Sequence, residues 1–274
     1  MTLLNTSGLD VEELAIRGHG GPITLRSYRL PDRGSQKPVV LYFHGGAFRS
    51  GCLEDADAPA ATIARSMPAW VVSVGYSLAP AKPFPHAPED GYRALLWAAA
   101  HARKFAADAR RIGLAGHDAG GNLATCIAAM ARDRGNVCIG AQALLAPLLD
   151  PGLTCMSEER HGPTPAELNL WSSGYRAYLP EPMQHLHPYA APLESSRLAG
   201  LPPAFIGLAG HDPLRREAQY YASRLKDAGV VAEEVFYEAV SHAGLANNPD
   251  VLRDVAAFFA KHLEHRTLAK RKAA

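Results

Sequence analysis

Apolar and polar positions along the chain alternate between two periods from one end to the other. Short runs with strand character precede longer segments whose apolar residues recur at helical spacing. The pattern predicts strands at 11–18, 23–30, 38–43, 70–74, 111–115, 138–145, 204–208 and 232–237, and helices at 56–66, 90–107, 121–134, 214–228 and 250–265. Strand–helix units joined by short loops favour an α/β fold, with a mostly parallel eight-stranded sheet flanked by helices.

The alternation is interrupted once, at residues 151–201. This stretch contains prolines and the aromatic residues Trp171, Tyr175, Tyr178 and Tyr189, but no strand pattern. We interpret it as a small helical, lid-like insertion. No repeat or linker divides the rest, so residues 1–274 are predicted to form a single domain.

Composition and charge add only exclusions. The 28 basic and 27 acidic residues give a formal net charge of +1, so no nucleic-acid or anionic-membrane partner is expected. The four cysteines lack metal-ligand spacing, and Cys126 and Cys138 are predicted to be small core residues. Without a signal-peptide pattern or an apolar run of about 20 residues, the protein is expected to be cytoplasmic.

Candidate chemistry begins at residues 116–120 (GHDAG), between a short apolar strand and a helix. Glycines two positions on either side of a central residue permit a sharp strand-to-helix turn, which lifts the central side chain above the sheet. The helix start directs its N–H groups at that side chain. The pattern predicts a nucleophile elbow centred on Asp118.

Residues 44–48 (HGGAF) follow the third strand. Adjacent glycines let backbone N–H groups point at a common oxygen, so Gly45, Gly46 and Ala47, together with Ala119 after the elbow, are expected to form an oxyanion hole. An ordinary glycine turn is the alternative. Phe48 and His117 are candidate substrate contacts, as are Tyr175 and Tyr178 of the insertion.

Two further strand ends carry polar residues in the chain order acid, then histidine, that a catalytic triad of this fold requires. Asp212 follows the next-to-last strand, and His242 follows the last. With Asp118 they would form a triad of nucleophile, acid and histidine. His185 and His187 could share a metal only with a third ligand, which the neighbouring sequence lacks; no metal or cofactor is expected.

These motifs resemble the bacterial hormone-sensitive-lipase branch of the α/β-hydrolases, a branch of esterases and lipases. HGGAF is similar to the family pattern H-G-G-G-[FW], and residues 76–90 (YSLAPAKPFPHAPED) resemble its Y-R-L-A-P-E-x-P-F-P segment. GHDAGGNL resembles G-D-S-A-G-G-N-L, with His117 in place of Asp and Asp118 in place of the nucleophilic Ser. Residues 212–217 resemble D-P-L-R-D-E. The resemblance implies hydrolysis of small acyl esters and, as in many members, a homodimer.

An aspartate in the serine position changes the chemistry. Attack by a carboxylate on an ester carbonyl gives a tetrahedral adduct that expels the carboxylate again, whereas displacement at saturated carbon gives a stable alkyl ester. Four hypotheses stay open: an ester-type hydrolase with an atypical Asp nucleophile; an epoxide-hydrolase-like or dehalogenase-like enzyme; a catalytically lapsed binding protein; and an engineered serine-to-aspartate replacement. Against the second, epoxide hydrolases and dehalogenases carry Trp where this chain has Ala119. Ionised Asp118 is expected to favour protonated His242.

Overall fold

The computed structural model describes residues 8–31, 36–156 and 162–263, and within them eight strands form one sheet. The strands are β1 (Asp10–Arg17), β2 (Pro22–Arg29), β3 (Lys37–Phe43), β4 (Trp70–Gly75), β5 (Ala107–His117), β6 (Ile139–Leu145), β7 (Ala204–His211) and β8 (Ala232–Ser241). Their order is β1-β2-β4-β3-β5-β6-β7-β8. β1 and β2 are antiparallel to their neighbours, and the other six strands run parallel.

Helices cover both faces of the sheet, which explains why every residue of β3 is buried. One face carries α1 (Leu53–Ser66) and α6 (Pro249–Leu263), which contact each other. The other carries α2 (His86–His101), α3 (Ala119–Arg134) and α5 (Arg215–Asp227). The predicted α/β-hydrolase fold, with its mostly parallel eight-stranded sheet, is confirmed.

The boundaries differ from the prediction mainly around β5. Helix α2 ends at His101, six residues before the predicted end, and a 3-10 turn (Ala102–Phe105) follows. Ala106 then takes a left-handed φ of 54°, which breaks the helix and lets β5 begin at Ala107, earlier than predicted. The predicted helix end at 264–265 lies outside the described residues.

The prediction for the cysteines was half wrong. Cys126 is buried on α3, but Cys138 is exposed. The apolar run that suggested a core position extends one residue beyond the strand, because β6 begins only at Ile139. Among the described helices, none is long and apolar enough to cross a membrane.

The segment between β6 and β7 contains α4 (Pro165–Tyr178) and 3-10 turns at Pro182–Leu186 and Pro192–Glu194, with no strand in its described part. Residues 157–161 of the predicted insertion lie outside the described residues. A capping box starts α4: the Thr164 hydroxyl accepts the Glu167 N–H, and the Glu167 carboxylate accepts the Thr164 N–H. α4 packs against the loop after β3, where Arg49 donates to the Ser173 hydroxyl at 2.8 Å.

Candidate active site

The turn from β5 into α3 holds Asp118 in a backbone conformation that few non-glycine residues adopt, with φ 56° and ψ −121°. Its flanking glycines are required sterically. A Cβ on Gly116 would lie 2.2 Å from the Gly120 carbonyl oxygen, and one on Gly120 would lie 2.0 Å from the Phe43 carbonyl oxygen. The strain is confined to the residue at the apex, as in a nucleophile elbow.

The loop of residues 44–48, hereafter the oxyanion loop, closes on the Asp118 carboxylate. The N–H groups of Gly46 and Ala47 both donate to Asp118 Oδ2, at 2.8 and 2.7 Å. Gly46 achieves this with a φ of 117°, and Ala47 and Phe48 also have positive φ. The described contacts of the carboxylate include neither the Gly45 N–H nor the Ala119 N–H, so two of the four predicted donors face it.

His242 lies between two carboxylates. Its Nδ1 is 3.0 Å from Asp212 Oδ1, which also accepts the Leu214 N–H at 2.9 Å. Its Nε2 is 3.5 Å from Asp118 Oδ1. The structure therefore brings together the three residues predicted from separate strand ends, with a partly buried imidazole between two buried acids.

The position of His242 between the two carboxylates determines the charges of these groups. Burial alone would lower the pKa of His242, but the Asp212 and Asp118 carboxylates raise it to about 10. Burial likewise opposes ionisation of Asp118, and the contacts with His242 and the Ala47 N–H outweigh it, so its pKa lies below the usual range. At neutral pH the resting site holds a carboxylate, an imidazolium and a second carboxylate.

His117 occupies the space beside the elbow. Its Nε2 is 2.9 Å from the backbone oxygen of His242, and its Nδ1 lies against Gly45, where a Cβ would approach to 2.8 Å. Burial, followed by the nearby charge of His242, lowers the pKa of His117 to about 4. A neutral His117 therefore donates from Nε2 and supports the loop that carries His242.

Aromatic side chains of α4 cover the other side of the site. Tyr178 stacks on Phe48 with ring centroids 4.0 Å apart, and Tyr175 lies 5.5 Å from the same ring. Both tyrosine hydroxyls are buried without a hydrogen-bond partner among the described residues. Phe48, Tyr175 and Tyr178 thus form one cluster against the oxyanion loop, and a role in substrate binding stays a prediction.

Trp171 is a site residue that sequence reasoning missed. Its ring meets the His242 ring edge-on at 5.2 Å and is almost fully buried. The signal was present, since positions 171, 175 and 178 are spaced to fall on one helix face. Gly174 lies on the same helix, and a Cβ there would approach the Ala47 carbonyl oxygen to 2.4 Å.

The described part of the chain has no group of three His, Cys, Asp or Glu side chains arranged for a metal ion. His185 Nε2 instead contacts the Leu179 carbonyl oxygen at 3.2 Å.

The chain is similar to known proteins over most of its length. The profile described as alpha/beta hydrolase fold matches residues 40–246. The chain belongs to the α/β-hydrolase-fold family. Esterase LipI of Mycobacterium tuberculosis is 42% identical over 231 residues, covering 82% of this chain and 72% of LipI. An arylesterase of Saccharolobus solfataricus is 34% identical, covering 76% and 70%.

Solved structures agree with this membership. An esterase of Pyrobaculum calidifontis superposes with a TM-score of 0.83 at 37% identity, covering 92% of this chain and 85% of its own. As a member of this α/β-hydrolase family, the chain is a hydrolase. The bond that it cleaves depends on what Asp118 does.

Proposed function

We propose that this hydrolase works through a covalent ester on Asp118, and that its small-molecule substrate carries an electrophilic saturated carbon, as an epoxide does. One observation carries the proposal. Asp118 Oδ2 takes both N–H donors of the oxyanion loop, while Oδ1 faces His242 without a hydrogen-bond partner among the described residues. In a serine esterase, the serine oxygen faces the histidine and the substrate carbonyl oxygen occupies the oxyanion hole. Here the two oxygens of the Asp118 carboxylate occupy both positions.

This occupancy argues against direct hydrolysis of carboxylic esters. An ester carbonyl oxygen would need the N–H groups of Gly46 and Ala47, and Oδ2 already holds both at hydrogen-bonding distance. His242 is also protonated at neutral pH, so it cannot accept a proton from an attacking group. Both obstacles persist for as long as Asp118 is ionised.

Displacement at saturated carbon meets neither obstacle in its first step, because it needs neither a free oxyanion hole nor a base. Oδ1 of Asp118 attacks the epoxide carbon, the carbon–oxygen bond of the ring breaks, and the departing oxygen takes the proton from His242 Nε2. Asp118 becomes a neutral alkyl ester and His242 a neutral imidazole. Loss of the Asp118 charge lowers the proton affinity of His242, which makes it available as a base.

The second step uses the two hydrogen bonds that Asp118 Oδ2 already accepts before the substrate binds. His242 takes a proton from water as the water oxygen attacks Cγ of Asp118, and negative charge develops on Oδ2, beside the N–H groups of Gly46 and Ala47. The Cγ–Oδ1 bond then breaks. The alkoxide takes the proton from His242, and the carboxyl proton of Asp118 returns to His242. An epoxide and water become a diol, with one oxygen exchanged into Asp118 and no cofactor required.

Epoxides fit this route better than haloalkanes. The His242 imidazolium can protonate a departing oxygen, whereas a departing halide needs donors that hold an anion. The residue after the nucleophile is Ala119, which has no side-chain donor to offer.

The test traps the intermediate in a His242→Ala variant, which lacks the base for the second step and also the acid that protonates the epoxide oxygen in the first. The variant is incubated with styrene oxide and, separately, with a primary alkyl iodide, whose leaving group needs no proton. Intact mass followed by peptide mapping is expected to show one adduct on Asp118. The Asp118→Asn/His242→Ala double variant is the matched control and should stay unmodified. Absence of an Asp118 adduct with both probes overturns the proposal.

Hydrolysis of small carboxylic esters is the second candidate, favoured by the names of the relatives. Under our proposal the natural chain is inert toward p-nitrophenyl acetate, and Asp118→Ser, which empties the hole and frees His242, gains esterase activity. Rapid ester hydrolysis by the natural chain, lost in Asp118→Asn, would instead establish the second candidate. If neither activity appears and Asp118→Ser is also inert, the chain is a lapsed binding protein.

The remaining expectations from the sequence accompany this proposal. We propose one domain over residues 1–274 with a lid at about 151–201, a cytoplasmic location, and a homodimer. Gel filtration with light scattering tests the last of these directly.

A further inference from the structure

A cleft of about 920 Å³ opens beside the oxyanion loop. Its walls come from the oxyanion loop, the first turns of α1 and the turn that follows His242. Gly46 belongs both to this wall and to the hydrogen bond with Asp118 Oδ2. The cleft therefore adjoins the candidate active site without being part of the catalytic contacts.

Tyr42, the next-to-last residue of β3, lines this cleft. The residue is 1% exposed, and its hydroxyl is buried without a hydrogen-bond partner among the described residues. Buried polar groups in native proteins nearly always have a partner. A ligand that reaches Tyr42 would supply one.

The charged residues that line the cleft are acidic. Glu54 and Asp55 stand on the α1 wall, and neither Lys nor Arg is among the described lining residues. Glu54 pairs with Arg26 at 2.5 Å, and the same guanidinium also pairs with Glu13 and Asp57. Asp55 accepts the Cys52 N–H at 3.0 Å, which fixes its carboxylate without neutralising it.

The histidines of the cleft add no positive charge at neutral pH. Burial lowers the pKa of His44, and burial together with the charge of His242 lowers that of His117 to about 4. Next to them, two carboxylates and one imidazolium leave the catalytic residues with a net negative charge. The charged side chains of the cleft are thus negative overall, while Ala58, Ala243 and Ala246 give it apolar walls.

We propose that this cleft is a subsite for a protonated amine on a short apolar stem, with Asp55 as the counter-charge and the Tyr42 hydroxyl as a hydrogen-bond partner. The inference rests on the proposed function only in treating the amine as part of the substrate. The amine-binding site itself needs no reaction at Asp118.

The test is therefore equilibrium binding to the intact protein, without turnover. Binding of n-hexylammonium is measured by calorimetry at pH 7.5 and low salt, with 1-hexanol and hexanoate as matched probes. We expect the ammonium to bind and hexanoate not to bind. Asp55→Asn keeps an acceptor for Cys52 and should weaken binding about three- to fivefold, as loss of one exposed charge partner does. Tyr42→Phe should weaken it further, and Ala58→Phe, which narrows the cleft, should abolish it.

Asp227→Asn, at the exposed end of α5, is the control and should leave binding unchanged. Equal binding of the ammonium and the alcohol, or equal affinity in Asp55→Asn and the natural chain, overturns the subsite. Either result leaves the trapping experiment at Asp118 unaffected, so failure of the subsite and failure of the proposed function are told apart.

Discussion

Replacing Asp118 by Asn should convert His242 from an acid into a base at neutral pH. The substitution keeps the shape of the side chain and removes one of the two charges that flank the imidazole. Asp118 Oδ1 and His242 Nε2 are 3.5 Å apart. At an effective dielectric constant of about 20, two unit charges at this distance attract by about 5 kcal/mol. Since 1.36 kcal/mol corresponds to one pKa unit, the pKa of His242 should fall by roughly two to four.

The measurement is an NMR titration of the His242 ring in the natural chain and in Asp118→Asn. A midpoint of about 10 is expected in the natural chain, and a midpoint near neutrality in the variant. His187 is an internal reference, since burial alone lowers its pKa. A His242 midpoint that differs by less than about one pH unit between the two proteins would show that the Asp118 charge does not hold His242 protonated.

Three further outcomes are expected. The pKa of His242 is raised to about 10 in the folded protein from an unfolded value near 6.5. Its ion pairs therefore contribute stability that is complete below about pH 6.5 and is lost as pH rises to about 10. Denaturant unfolding should show this loss in the natural chain, and an equally steep loss in Asp118→Asn would contradict it. Gly174→Ala should lower Tm by several degrees, since its Cβ would lie 2.4 Å from the Ala47 carbonyl oxygen and overpacking costs about 1–3 kcal/mol; an unchanged Tm in calorimetry would show that α4 does not press on the oxyanion loop. Tyr178→Phe removes a buried hydroxyl without a described partner, so its free energy of unfolding should be unchanged or higher; a loss above about 1 kcal/mol would reveal a hidden partner.

The order of the elements could be predicted because the fold is dictated by local patterns. Buried parallel strands form continuous apolar runs, such as that of β3, and turn glycines separate them from amphipathic helices. The prediction failed at 90–107, where one helical period hides a 3-10 turn and the start of β5. A single left-handed residue, Ala106, makes that break, and alanine carries no signal for it.

The strand-end residues Asp118, Asp212 and His242 could be placed because parallel strands end at one edge of a sheet. What the sequence could not convey is how the carboxylate is oriented. The sequence does not distinguish the two carboxylate oxygens of Asp118. In the structure, the positive φ angles of Gly46 and Ala47 direct two N–H groups at one of them. Trp171 was missed for a different reason, since an aromatic residue on a helix face is more often core than site.

The most direct test of the aspartyl-ester route is the fate of water oxygen. The natural chain is allowed to turn over styrene oxide many times in water enriched in ¹⁸O. The mass of the peptide containing Asp118 is then measured by mass spectrometry. ¹⁸O is expected in the Asp118 carboxylate, because water attacks Cγ and the Cγ–Oδ1 bond breaks. Diol formation with an unlabelled Asp118 would mean that water attacks the substrate directly, and the central claim would be wrong.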